Sequence, residues 1–204
     1  MERIIPTGRT IIQINTPRCC FDYELMCILL NKERVMQRDS DLLYFNSLIK
    51  NEWAIPCTAD KSVCGPLCLN DGEEAWLWKE AYFDNEYFIL NLENINCDIE
   101  SILFIIMDYE WLFDKKIVHK DGYWSNFSVA VFYSDNPNDV LGKMTVLEKQ
   151  PLFIDYPINS FDQCFIQKPH CYLCALQKNH NVWKYTPLWE GFSDIEKELQ
   201  QFML

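Results

Sequence analysis

Short runs of β-branched and aromatic residues recur along almost the whole chain, whereas a helical repeat of apolar residues is almost absent before residue 193. Such runs, bounded by turn-forming residues, are typical of β-strands. The predicted strands are 9–14, 23–30, 42–45, 87–92, 102–109, 127–133, 145–147, 164–167, 172–177 and 182–187. So many short strands predict an all-β fold, a β-sandwich of short antiparallel strands.

The C-terminal segment has a different pattern. Ser193 and Glu196 match the Ser-x-x-Glu capping box that begins many helices. Ile195, Leu199 and Phe202 then recur at helical spacing, so one terminal helix is expected, with these three side chains on one face. We predict that this face docks on its own domain, and an amphipathic helix that binds a partner is the alternative.

The chain is long enough to form one domain with a substantial core, since it has 204 residues and 49% of them are apolar. It contains no repeat and no Gly/Ser-rich linker, so a single domain over residues 1–204 is expected. Residues 61–83 match no strand pattern, and we predict a long loop there. No signal-peptide core or membrane-length apolar run is present, which predicts a cytoplasmic protein without membrane insertion.

The net charge of −12 is concentrated between residues 51 and 114, where fourteen acidic residues accompany only Lys61 and Lys79. Carboxylates at this density repel one another unless solvent, a cation or a basic partner offsets them. A solvated acidic surface is the simplest interpretation, and a divalent cation is the more specific one. An acidic chain without a basic stripe argues against binding to nucleic acid.

The ten cysteines are expected to be reduced thiols that behave as small buried apolar side chains, since the chain carries no export signal. A second interpretation is a zinc site formed by Cys164, His170, Cys171 and Cys174. The segment around Cys171 and Cys174 alternates like a strand, and residues three apart on a regular strand point to opposite faces. This pattern therefore disfavours zinc.

Three groups of oxygen-bearing side chains have the character of ligands for a hard cation such as calcium. Asp22 and Glu24 are two residues apart at the start of a predicted strand and would share one face. Asp60 lies in a turn-like stretch. Asp84, Asn85 and Glu86 are three consecutive oxygen donors at a junction between a loop and a strand.

The sequence offers little support for catalysis. The three histidines, His119, His170 and His180, are scattered, and no Ser or Cys lies in a nucleophile-elbow pattern. With six glycines, the chain has no Gly-rich phosphate loop. Asp108, Glu110 and Asp114 could form a carboxylate pair beside Trp111, but acids at strand ends are more often solvated. We therefore expect a protein that is not an enzyme.

In order along the chain, these pieces resemble the TerD family, the tellurium-resistance and stress-response domains of bacteria. Residues 22–24 (DYE) resemble the family's acidic "DxD"-like strand start, and 41–46 (DLLYFN) resemble its "DFVFYN" stretch closely. Residues 55–65 and 83–86 (FDNE) resemble its "VxHxxDNxxG" and "GDDE" motifs. Residues 182–185 (VWKY), followed by Gly191 and Phe192, are similar to its closing "EWKF…GxGF".

The resemblance implies a calcium-binding β-sandwich without catalytic activity, which acts in resistance to tellurite, phage or other stress. Its metal ligands would be Asp22, Glu24, Asp60, Asp84, Asn85 and Glu86, and its partners would be other proteins, including a membrane-bound resistance complex. The chain departs from the family at Lys61, where the family has Asn, and at Asn85, where it has Asp. Both changes weaken a cation site, so an acidic protein-interaction module that works without metal is the alternative.

Overall fold

The computed structural model describes residues 3–15, 23–38, 41–43, 67–68, 75–79, 85–93, 95, 97–108, 111, 127–134, 150–157 and 168–203. Within them the chain forms twelve strands and one helix. These are β1 (Arg3–Ile5), β2 (Arg9–Asn15), β3 (Tyr23–Leu30), β4 (Leu42–Leu43), β5 (Leu67–Cys68), β6 (Ala75–Lys79), β7 (Asn85–Asn91), β8 (Ser101–Asp108), β9 (Ser128–Ser134), β10 (Phe153–Asp155), β11 (His170–Asn179), β12 (Val182–Phe192) and α1 (Ile195–Gln200).

The strands form two six-stranded sheets whose neighbouring strands are all antiparallel. The first sheet has the order β1-β12-β11-β8-β3-β4, and the second has the order β10-β9-β2-β7-β6-β5. Apolar side chains from both sheets meet in one intersheet core, which includes Leu25, Phe88, Phe104, Val131 and Trp183. The all-β sandwich predicted from the sequence is therefore confirmed.

The central strands of the first sheet are buried on both faces. In β3, Tyr23, Leu25, Cys27 and Leu29 belong to the intersheet core. The alternate residues Met26, Ile28 and Leu30 belong to a second apolar cluster, here called the outer core, on the face turned away from the second sheet. A continuous apolar run is the sequence pattern of such a strand, because neither face of it meets water.

Helix α1 covers the outer core. Ile195, Leu199 and Phe202 pack against β3, β8 and β11, as the helical spacing predicts, and Ile195 and Phe202 are buried. The hydroxyl of Tyr172 donates a 2.8 Å hydrogen bond to Glu198, and the backbone carbonyl of Phe202 accepts one from Met36. The docked helix predicted from the sequence is confirmed.

The first residue of this helix differs from the prediction. Asp194, not Ser193, is the N-cap, and its carboxylate accepts a 3.1 Å hydrogen bond from the backbone N–H of Lys197. Both residue types are good caps, but an anionic acceptor also interacts favourably with the positive end of the helix dipole. The prediction of a capping box at Ser193 and Glu196 was therefore wrong, because it placed the N-cap one residue too early.

A bulge interrupts β11. Between Tyr172 and Cys174 the register shifts against both β8 and β12, so the alternation of faces is lost there. Cys171, Leu173 and Cys174 consequently all belong to the intersheet core. The prediction that Cys171 and Cys174 point to opposite faces was wrong, because it assumed a regular strand.

The hairpin between β11 and β12 turns within two residues. Asn179 pairs with Val182, and both His180 and Asn181 have positive φ values, 49° and 64°. This is the type I′ geometry that suits the twist of antiparallel strands, and Asn tolerates it well. The turn fixes the register that places Trp183 in the intersheet core.

Eight of the ten predicted strands are found, with their ends shifted by a few residues. The strands predicted at 145–147 and 164–167 lie outside the described residues. The long loop predicted at 61–83 was wrong, because β5 and β6 lie within it and extend the second sheet beyond β7. Strand β6 contains alternating tryptophans, a strand signal that the surrounding charges obscured.

No helix in the described part of the chain is long and apolar enough to cross a bilayer.

The assignment of Asp194 as the N-cap predicts that substitutions at Asp194 and Ser193 change the stability of the protein by different amounts. Asp194→Ala should lower the free energy of unfolding by about 1 kcal/mol, because the N–H of Lys197 loses its acceptor. Ser193→Ala is the matched control and should change it by less than about 0.5 kcal/mol. Urea unfolding followed by circular dichroism measures both. An equal loss in the two variants would contradict the assignment.

Candidate functional site

Three of the six predicted calcium ligands fall on described residues. Glu24 is the second residue of β3, whereas Asn85 and Glu86 open β7. Asp22, Asp60 and Asp84 lie outside the described residues. The structure therefore places the strand starts that carry the predicted ligands, and Asp22 and Asp84 immediately precede them in sequence.

The starts of β3 and β7 lie at the same end of the sandwich. In the second sheet, Asn15 pairs with both Asn85 and Ser128. The ring of Phe127, the residue before Ser128, meets the ring of Tyr23 at 5.6 Å between centroids. Since Tyr23 is the first residue of β3, this contact joins the two sheets at the end where β3 and β7 begin. We call it the β3–β7 end.

Glu24 occupies the outer face of the first sheet. It alternates with Tyr23 and Leu25, which are in the intersheet core, and it lies opposite Met107 of the outer core. Its side chain is 7% exposed. Asn85 and Glu86 belong to the second sheet, and Glu24 lies on the face of the first sheet that is turned away from it. The three residues could therefore share one site only if that site extended around the rim of the sandwich.

The donor chemistry of the predicted set suits a hard cation, since carboxylate and amide oxygens are calcium ligands. The described residues alone do not assemble three or more His, Cys, Asp or Glu side chains around one point. A complete shell would therefore need the predicted ligands Asp22, Asp60 and Asp84. In the strand register Lys79 lies directly opposite Glu86, which brings a cationic residue next to one predicted ligand.

A buried histidine lies at the same end. His170, at the start of β11, is on the outer face in the same row as Met107 and Glu24. Its ring is enclosed by Trp111, at 5.3 Å between centroids, and by Phe192, at 5.4 Å. The backbone N–H of Trp111 donates a hydrogen bond to the carboxylate of Asp108.

The zinc hypothesis is not supported where it can be compared with the structure. His170 lies on the outer face of the first sheet, whereas Cys171 and Cys174 are in the intersheet core on the other face. These three side chains cannot bind one ion together, and Cys164 lies outside the described residues. The tight spacing of the four residues in sequence was a misleading signal, because neighbouring strand residues point to opposite faces.

The surroundings of the three buried thiols, those of Cys27, Cys171 and Cys174, make them unreactive. Burial raises the pKa of the Cys27 thiol well above its ordinary value, and neighbouring Cys174 raises it further. Burial likewise raises the pKa of Cys171 and Cys174, although a hydrogen bond with Tyr185 partly offsets the effect at Cys174. These thiols stay protonated and behave as small apolar side chains, as the sequence predicts.

Asp41 begins the stretch that most closely resembles a TerD motif, and its role in the structure is to hold a turn. The fully buried carboxylate accepts hydrogen bonds from the backbone N–H groups of Gln37 and Arg38, both at 3.0 Å. It also accepts two from the Arg38 guanidinium, at 3.1 and 2.9 Å. With four donors around it, Asp41 closes the loop that leads into β4.

Asp155 is a second buried carboxylate, which the sequence did not single out. It is the last residue of β10, is 6% exposed, and accepts hydrogen bonds from the hydroxyl of Tyr185 at 2.9 Å and the indole N–H of Trp189 at 2.8 Å. Both donors belong to β12, so the carboxylate ties the edge of the second sheet to the first sheet. No local pattern in the sequence reveals this contact.

Solved structures that are similar to this chain include the following two. One is a crystal structure of a homologue of telluride resistance protein (TerD) from Streptomyces coelicolor A3(2), with 10% sequence identity, a TM-score of 0.49, and coverage of 93% of this chain and 92% of that one. The other is a crystal structure of SAV2460, a protein of unknown function, with 10% identity, a TM-score of 0.49, and coverage of 95% of each chain.

No protein-family model matches the sequence, and no curated protein matches it either.

The environments of the thiols predict selective alkylation. In the native protein, iodoacetamide should modify exposed Cys97 at least about a hundredfold faster than Cys27, Cys171 or Cys174, because only the accessible thiolate reacts. Peptide-resolved mass spectrometry measures the four rates, and the same reaction in guanidinium chloride is the control that should equalise them. Native modification of Cys174 at the rate of Cys97 would contradict the assignment.

Proposed function

We propose that this chain is a non-catalytic, calcium-linked binding module that works in a bacterial tellurite, stress or phage-resistance assembly in the cytoplasm. The observation that carries the proposal is that β3 and β7 begin at the same end of the sandwich. Five of the six predicted ligands lie, in sequence, within these strand starts or immediately before them. The TerD-like motifs of the sequence support the same proposed function.

The chemistry of the site would be electrostatic. A calcium ion, when bound, neutralises carboxylates that otherwise repel one another in the acidic segment 51–114. Asn85 and Glu86 would contribute oxygens from the start of β7, with Asp84 just before them. Asp22 and Glu24 would contribute from the start of β3, and Asp60 from the intervening chain. The site would tie the loops at this end and so shape a surface for a partner protein.

The absence of catalysis is supported by the state of the reactive groups in the described residues. His170 is enclosed by aromatic rings, and burial keeps the thiols of Cys27, Cys171 and Cys174 protonated. Neither the imidazole nor these thiols are placed where a substrate could reach them. The exposed His180 lies in the hairpin turn between β11 and β12.

A metal-independent interaction module is the second candidate, and two placements favour it. Lys79 lies directly opposite Glu86 in the register, where a cross-strand pair of opposite charges can replace a metal ion. Glu24 is turned to the outer face of the first sheet. In this case the acidic segment would dock a basic partner directly, and the interaction would weaken steeply as salt rises.

Calcium should raise the thermal stability of the protein. At a free calcium concentration one hundred times the dissociation constant, binding raises the free energy of unfolding by about 2.7 kcal/mol. For a chain of this length this corresponds to an increase in Tm of roughly 5–10 °C. Glu86→Gln should abolish most of the shift because it removes a ligand charge. Differential scanning calorimetry with and without calcium, supported by isothermal titration, measures the effect.

Glu93→Gln is the matched control, since Glu93 is an exposed acid of the same segment that follows the other end of β7. It should leave the calcium shift unchanged. Magnesium at equal ionic strength controls for simple screening. If millimolar calcium produces neither heat nor a change in Tm, the calcium role is wrong, and salt-sensitive binding to a basic polypeptide such as polylysine would then favour the metal-independent module.

A further inference from the structure

Four rings follow one another on the outer face of the first sheet. They belong to Trp111, His170, Phe192 and Tyr172, in this order, and we call them the aromatic row. The centroids of neighbouring rings are 5.3, 5.4 and 4.6 Å apart. His170 lies directly opposite Phe192 in the register, so the pairing of β11 with β12 sets the middle of the row.

Three of these rings keep part of their surface in contact with solvent. His170 is completely buried, whereas Trp111, Phe192 and Tyr172 are only half-buried. Phe192 and Tyr172 also pack against the outer core, which holds them in place. The face of an aromatic ring is the negative end of its quadrupole, so rings that are fixed and partly accessible can accept a cation.

Two carboxylates border the row. Glu190 is exposed and lies opposite Tyr172 in the register, two residues before Phe192, so it shares the outer face with both rings. Glu198 of α1 accepts a 2.8 Å hydrogen bond from the Tyr172 hydroxyl. Burial raises the pKa of Tyr172, and Glu198 and Glu190 raise it further. Both carboxylates therefore act on this part of the row.

The cations described nearby do not cancel these acids. Arg34 is exposed and lowers the pKa of Tyr172, opposite to the effect of the carboxylates. Lys168 precedes His170 by two residues, and Glu24 lies in the same row of the sheet as His170, beyond one intervening strand. Among the described residues, three acids thus accompany two bases around the aromatic row, and the balance is negative.

We propose that the aromatic row is a docking surface for arginine side chains of a partner protein. A planar guanidinium can stack on a ring face and donate hydrogen bonds to a carboxylate at the same time, whereas the ammonium of lysine is compact and strongly hydrated. Rings and carboxylates on one face offer both contacts together. This inference rests on the proposed role as a binding module and names the chemistry of its partner, but it does not require calcium.

Two peptides of equal charge test the preference for arginine. The peptide (Arg-Gly)4 should bind the wild-type protein at least about fivefold more tightly than (Lys-Gly)4 at about 0.15 M salt, where exposed charges are largely screened. Isothermal titration measures both affinities. Equal affinity overturns the inference, while salt-sensitive binding of both peptides would still support the metal-independent module. If neither peptide binds and calcium has no effect, the proposed function fails as well.

Two substitutions test the row itself. Phe192→Leu keeps an apolar side chain but removes the ring, so it should weaken binding of (Arg-Gly)4 about fivefold and change that of (Lys-Gly)4 less than about twofold. Glu190→Gln removes an exposed carboxylate and should weaken the binding of both peptides. The inference is overturned if neither substitution changes the affinity for (Arg-Gly)4.

Matched controls separate these effects from a general loss of stability or charge. Phe153→Leu removes a partly buried ring that packs against the intersheet core, and Glu93→Gln removes an exposed acid next to the far end of β7. Both should leave the affinity for (Arg-Gly)4 unchanged. Circular dichroism verifies the fold of each variant, and Trp111→Leu takes the place of Phe192→Leu if that variant does not fold.

Hydrogen exchange locates the bound peptide. Saturating (Arg-Gly)4 should slow exchange in residues 170–174 and 188–200, because these segments carry most of the aromatic row and its two carboxylates. Mass spectrometry of peptic peptides measures the change. Slowing that is confined to residues 75–93 would place the peptide on the acidic segment and overturn the inference.

Discussion

The apolar character of both faces of the central strands is the constraint on which the rest of the structure depends. A strand such as β3 buries one set of side chains against the second sheet and the alternate set away from it. Each fully buried Leu, Ile or Met contributes about 1.5–3 kcal/mol, so neither face can be left in water. The second sheet covers one face, and helix α1 with the segment around Met36 covers the other. The position of the C-terminal helix follows from this requirement.

Carboxylates buried near these cores must be held by donors, and they define the irregular features of the fold. Asp41 is held by the turn before β4, and Asp155 by two side chains of β12. Left without donors, either charge would cost several kcal/mol. The Asp155 contact connects β10 of the second sheet with β12 of the first, and one of its two donors is the strained Trp189.

The elements that sequence reasoning predicted are those whose signal is local. Strand β3 was predicted with its observed bounds, because a continuous apolar run between turn residues needs no partner to be recognised. Strand β10 was missed, since three residues flanked by prolines carry little periodicity. The faces of Cys171 and Cys174 were predicted wrongly because a bulge depends on the two neighbouring strands and not on β11 alone. For the candidate site, sequence predicted the ligand types, whereas the outward placement of Glu24 follows from its alternation within a sheet.

The sequence by itself determined the all-β class, the docked terminal helix and the concentration of negative charge between residues 51 and 114, because these are properties of residue type and spacing. Only the tertiary structure decided that β3 and β7 begin at the same end of the sandwich, and that Asp155 lies between Tyr185 and Trp189. Both depend on the register of strands far apart in sequence. Register is set by the summed packing of whole sheets, and no single segment of the chain encodes it.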